Sequence, residues 1–213
     1  MKRWLLLLCL TLLPLLVACG EAEPASVDEI PDEASQAQLT ERLNKGVPMD
    51  IESLLADVFY KLDTVVSDSA EANIYATRQF TLDELVDEVA SAMPPKEISE
   101  KYNNQQMLIY PNHFVTFKQS EEEDQVILME VAPDRFVRNN YSPNYLNHFF
   151  AFAMLNRMLS ADNWAENKRN TCSAGSCYGG YTTGTKSFGG DVVTNRTNRG
   201  MFSTRGGGPS AGK

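Results

Sequence analysis

Eleven of the thirteen glycines lie after residue 160, and the stretch before residue 49 is acidic and proline-containing. A core needs apolar side chains that recur with a helical or strand period. Only residues 50 to about 160 meet that condition. The fold therefore has to be built from roughly 110 residues, enough for one core and too few for two.

Within that span the pattern alternates between helix and strand. Ile51, Leu54, Leu55, Val58, Phe59, Leu62, Val65 and Val66 follow helical spacing behind a capping Asp50. Ile74 to Phe80 reads as a strand. Thr81 and Glu84 form a capping box for a helix lined by Leu82, Leu85, Val86 and Val89, which Pro94-Pro95 stops. Met107–Tyr110, His113–Lys118 and Gln125–Val131 read as strands separated by turns at Pro111-Asn112 and Ser120–Asp124. Pro133 to Asn140 predicts a short helix. Ser142-Pro143 opens a last one, apolar nearly all round, running to Leu159. The expected fold class is α+β: a small antiparallel sheet of about four strands packed with three to four helices and flanked by disordered ends.

Those ends divide the chain further. Residues 1–18 read as a signal peptide, 19–49 as an acidic tether, 50–160 as the globular domain and 161–213 as a flexible Gly/Arg-rich tail. Thirty flexible residues would hold the domain roughly 30 Å from its attachment point.

Lys2 and Arg3 precede a fifteen-residue apolar run from Trp4 to Ala18. At 1.5 Å per residue the run reaches roughly 22 Å, short of the ~30 Å hydrocarbon core, as a secretory signal does. It ends in Leu16-Val17-Ala18-Cys19-Gly20, which resembles a bacterial lipobox. In that motif the cysteine sulfur takes a diacylglyceryl group, and cleavage leaves the cysteine first. Cys19 is thus the expected lipidation site, and two acyl chains suffice for stable anchoring. Loss of residues 1–18 removes two basic and no acidic side chains, so a net charge of −9 becomes −11. Such a charge excludes a general nucleic-acid binder.

Cys172 and Cys177 form an even pair expected to be disulfide-bonded outside the cytoplasm. A four-ligand zinc site would need His113 and His148, the two histidines, to converge on them, so no metal is expected. Gly207–Lys213 imitates a phosphate loop, but the chain stops at the lysine, with no following Ser/Thr and no helix. Gly208–Gly212 imitates a nucleophile elbow with no histidine after it. Arg196, Arg199 and Arg205 lie among aromatic residues in a tail of charge +4, suited to lipid headgroups, wall polymers or the acidic domain itself.

Several stretches together carry a family resemblance. They are the capped helix Thr81–Ala92 before Pro94-Pro95, the segment Phe136–Pro143, the apolar helix after it, Cys172–Tyr181, and the ending Arg205–Lys213. In this order they resemble the bacterial lipoprotein family catalogued as the domain of unknown function numbered 4247, with Ser210 where glycine is expected. The resemblance implies an envelope protein with a membrane partner. It supplies no catalytic residues.

The sequence thus predicts a non-enzymatic binding or accessory lipoprotein on the extracytoplasmic face of the cell membrane, with no cofactor. Its expected partners are the membrane, through the anchor, and a membrane protein or cell-wall polymer. Two rival readings are a membrane-attached hydrolase or metalloenzyme using His113 or His148, and a thiol redox protein using Cys172 and Cys177.

Overall fold

A computed structural model describes residues 25–45, 48–67, 70–172, 177–183 and 193–194. The expected signal peptide, Cys19, and the Arg196, Arg199 and Arg205 segment lie outside them. The architecture is α+β. A 3-10 turn (Val27–Glu29) leads into α1 (Gln36–Lys45), α2 (Ile51–Val58), β1 (Tyr60–Val66) and β2 (Glu71–Thr77). Next come α3 (Leu82–Ala92), β3 (Glu97–Ile98), β4 (Gln105–Ile109), β5 (His113–Gln119) and β6 (Ile127–Pro133). Four short helices follow: α4 (Asp134–Asn140), α5 (Pro143–Leu146), α6 (Phe152–Met158) and α7 (Trp164–Thr171). The two-residue strand β7 (Val193–Thr194) is last.

The strands form one antiparallel sheet in the order β3-β4-β5-β6-β2-β1-β7. Five strands are long, and β3 and β7 are two-residue additions at the edges, so the sheet is wider than the four strands expected. Apolar layers cover both faces. On one face Leu39, Leu54, Leu55, Leu85 and Val89 from α1 to α3 pack on Leu108, Val115, Phe117, Met129 and Val131. On the other, Phe136, Leu146 and Leu155 from α4 to α6, with Phe150 of the turn between α5 and α6 and Trp164 of α7, pack against Ile74, Met107, Phe114 and Leu128. Burial on both faces explains why the central strands read as nearly unbroken apolar runs.

Several local expectations are met. Asp50 caps α2 by accepting from Ser53 N, and the Thr81–Glu84 box caps α3 from both sides. Others are overturned. The helix expected over 51–66 ends at Val58, and Tyr60–Val66 is β1, paired with β2. Tyr60, Val65 and Val66 are β-forming types, and pairing with β2 rewards an extended chain more than continued helix. The helix expected over 143–159 breaks into α5 and α6, because the turn between them lets both Phe149 and Phe150 enter the core. The described residues hold seven α-helices where three to four were expected.

The packed body is also wider than 50–160. Ala25, Val27, Ile30, Leu39 and Leu43 are buried in the stretch read as a tether. Trp164, Ala165, Tyr178 and Tyr181 are buried in the stretch read as a tail. Single apolar residues spaced along a polar segment leave no period, yet each contributes roughly 1.5–3 kcal/mol once the body offers it a pocket.

Candidate functional site

His113 opens β5, and its register partner is Pro133. Its Nε2 lies 3.2 Å from Glu52 Oε2 on α2. Glu52 Oε1 in turn accepts from Asn73 Nδ2, and Asn73 Oδ1 accepts from Thr64 Oγ1 at 3.1 Å. The chain Thr64–Asn73–Glu52–His113 therefore runs from β1 and β2 across to β5 on the face covered by α1 to α3. Asp50 sits close enough to feel His113, but its carboxylate is taken up by Ser53 N and Oγ at 2.8 and 2.7 Å. Those bonds hold it below the usual carboxylate range. Tyr75 is pushed up to about 12, first by burial and then by Glu52 and Asp50, so it stays a neutral phenol.

His148 lies on the other side of the sheet. It is exposed in the turn after α5 and stacks on Tyr102 at 4.2 Å with the rings 3° from parallel. From there a series of ring contacts leads inward through Phe149, Tyr145 and Tyr141 to Tyr178. The fold therefore assigns the two histidines to different layers and does not bring them together. An open cleft of about 480 Å³ lined by Arg78, Thr81, Asp83, Lys101, Gln119 and Asp124 contains neither.

Cys172 and Cys177 form a disulfide. Among the described residues, no group of three or more His, Cys, Asp and Glu is placed to hold a metal ion, and no helix is long and apolar enough to cross a membrane.

The most unusual group is one the motif reading passed over. Glu130 lies mid-way along β6, is 3% exposed, and faces the layer of α4 to α7. Its Oε2 accepts from Tyr181 N at 3.0 Å. Burial pushes its carboxyl up, and the hydrogen bond from Tyr181 N offsets only part of that. Burial, followed by the nearness of Glu130, raises Tyr141, Tyr145 and Tyr178 as well. The signal was present in the sequence: Glu130 is the one carboxylate in Val126-Ile127-Leu128-Met129-Glu130-Val131-Ala132. A buried carboxyl needs partners, and here the segment after the disulfide supplies one, the Tyr181 N–H. Tyr178 N donates to Asn140 O and Ser142 N to Tyr178 O, both at 2.8 Å, while Tyr181 Oη donates to Asp63 Oδ2 at 3.0 Å. Chemically the arrangement is a latch that closes residues 177–183 over the sheet.

Comparison of the chain with protein families, curated proteins and solved structures gives no match.

Proposed function

We propose that this chain is a lipid-anchored, extracytoplasmic envelope protein that binds a partner and catalyses no reaction, and that it belongs to the lipoprotein family whose motifs it resembles. Cys19 is the lipidated residue. The geometric observation that carries the non-enzymatic reading is the separation of the chemically capable side chains. His113 is engaged by Glu52 on one face, His148 stacks on Tyr102 on the other, and Cys172 is bonded to Cys177. Acid–base or metal chemistry needs such groups to converge on a substrate-sized space.

Crosslinking in native membranes, followed by mass spectrometry, tests the reading. The expected result is an acylated Cys19 and a membrane protein or wall polymer crosslinked to the chain. Changing Arg196, Arg199 and Arg205 to Gln examines the tail's charge while keeping Tyr178 and Tyr181. Deletion from residue 171 would remove Tyr178 and Tyr181 from the core. If the triple variant captures the same partners with the same yield, the tail has no role in binding.

The hydrolase reading has one observation in its favour, the 3.2 Å His113–Glu52 pair. A His113→Ala variant with wild-type phenotype and no change in metal content removes it. Thiol counting before and after reduction decides the redox reading.

A further inference from the structure

The length of chain between the lipid and the packed body is far shorter than the composition suggests. Ala25, Val27 and Ile30 are 4%, 4% and 6% exposed and belong to the core layer that also holds Leu128 and Phe136. Arg78 clasps the same segment. Its Nη2 donates to Val27 O at 2.7 Å and its Nη1 to Ile30 O at 3.2 Å, while its backbone N–H donates to Glu33 Oε2 at 2.7 Å. Glu123, in the turn between β5 and β6, holds the guanidinium from the other side at 3.2 Å. The body therefore begins no later than Ala25, six residues after Cys19. At no more than about 3.6 Å per residue, six residues reach about 22 Å in any conformation. A free segment running to residue 49 would reach roughly 100 Å.

The sheet gives this attachment point a direction. Thr77 pairs with Ile127, and Ile127 with Gln119, so Arg78, the Ser120–Asp124 turn and the Val27–Ile30 stretch that Arg78 holds share one end of the strands. His113 pairs with Pro133 at the other end, beside the exposed Pro111-Asn112 turn. Seven-residue strands separate the two ends by roughly 20 Å.

We propose that the lipid on Cys19 holds the domain directly against the bilayer, with the Arg78 and Ser120–Asp124 end facing the lipid surface and the Asn112 end facing away. The proposal rests on the anchor reading above and goes beyond it, replacing a spacer with a short leash. Charge is not what draws this end inward. Asp28, Glu29, Asp32 and the Glu121–Asp124 run are acidic, and an anionic bilayer repels them within a Debye length of about 8 Å. The covalent leash sets the distance, and the repulsion works only inside that limit. The cleft lined by Arg78, Lys101 and Asp124 consequently opens close to the membrane plane, within reach of a membrane-embedded partner.

Energy transfer on the acylated full-length mature chain tests this. A donor dye is attached through Glu29→Cys or through Asn112→Cys, and an acceptor is carried on the headgroups of phosphatidylglycerol/phosphatidylcholine vesicles. Given the ~20 Å between the two ends, transfer at position 29 is expected to exceed that at position 112 by about two-fold. Inserting thirty Gly/Ser residues between Glu23 and Pro24 is expected to erase that difference without altering the acyl mass or co-sedimentation with vesicles. Equal transfer from the two positions, or an unequal ratio that survives the insertion, overturns the leash while leaving the anchor in place. A Cys19 without acyl mass, on a chain that does not sediment with vesicles, overturns both.

Discussion

Gly180→Ala separates a docked C-terminal segment from a loose one. Gly180 has a φ of +93°, and a Cβ built there meets Tyr145 Oη at 2.6 Å and Cζ at 2.9 Å. An L side chain held at such a φ costs about 1–3 kcal/mol. The tyrosine ring must also give way. Its hydroxyl donates to Gln105 Oε1 at 2.9 Å, so a bond worth about 0.5–1.5 kcal/mol is lost or strained. The two effects together predict a destabilisation of about 2–4 kcal/mol. Gly179 is the internal control. It is exposed, has no positive φ, and a Cβ there meets nothing within 4 Å, so Gly179→Ala should stay within about 0.5 kcal/mol of wild type. Urea unfolding of the mature chain, followed by circular dichroism, measures both, with the slope unchanged if the denatured state is unaffected. Gly180→Ala falling within about 0.5 kcal/mol of Gly179→Ala would refute the docking of residues 177–183 and the latch built on it.

Other perturbations test neighbouring features. Glu130 has a folded-state pKa above its unfolded value of 4.5, so its stabilising contribution is full below about pH 4.5 and is lost as pH rises toward the folded value. Glu130→Gln keeps an acceptor for Tyr181 N and carries no charge; its melting temperature should match wild type near pH 4 and exceed it at pH 8. No difference at pH 8 would mean the carboxyl is not desolvated. The double change Cys172→Ser, Cys177→Ser opens a six-residue loop and should cost about 2 kcal/mol, read as a lower urea midpoint. An unchanged midpoint would show that the bridge constrains nothing. Arg78→Ala removes two bonds to backbone carbonyls and the contact with Glu123; about 1–3 kcal/mol should be lost, with faster proteolysis ahead of Gln36. Unaltered cleavage there would show that the apolar contacts of Val27 and Ile30 hold the segment alone.

Local signals were legible wherever a short stretch decides its own structure. Thr81 and Glu84 cap each other within one turn, and Pro94-Pro95 cannot extend a helix, so α3 was readable from end to end. The strands β4, β5 and β6 were readable from their apolar runs and intervening turns. Tyr60–Val66 was not, since its spacing satisfies both periods and the choice is made by pairing with β2, ten residues further on. His113 and His148 were conspicuous as rare residue types, but their assignment to opposite layers has no sequence signature. Glu130 stood in an apolar run, and what surrounds it comes from residues up to 51 positions away.

The sequence alone determined the mix of helix and strand, the capped elements, and the pair of cysteines close enough to bridge. Each of these depends on residues within one turn or one loop of each other. Only the tertiary structure decided where the body begins and ends. Val27, Ile30, Tyr178 and Tyr181 carry no period of their own, and they are buried because a sheet assembled from distant segments presents a surface that fits them. A stretch that composition marks as a spacer thereby becomes part of the core.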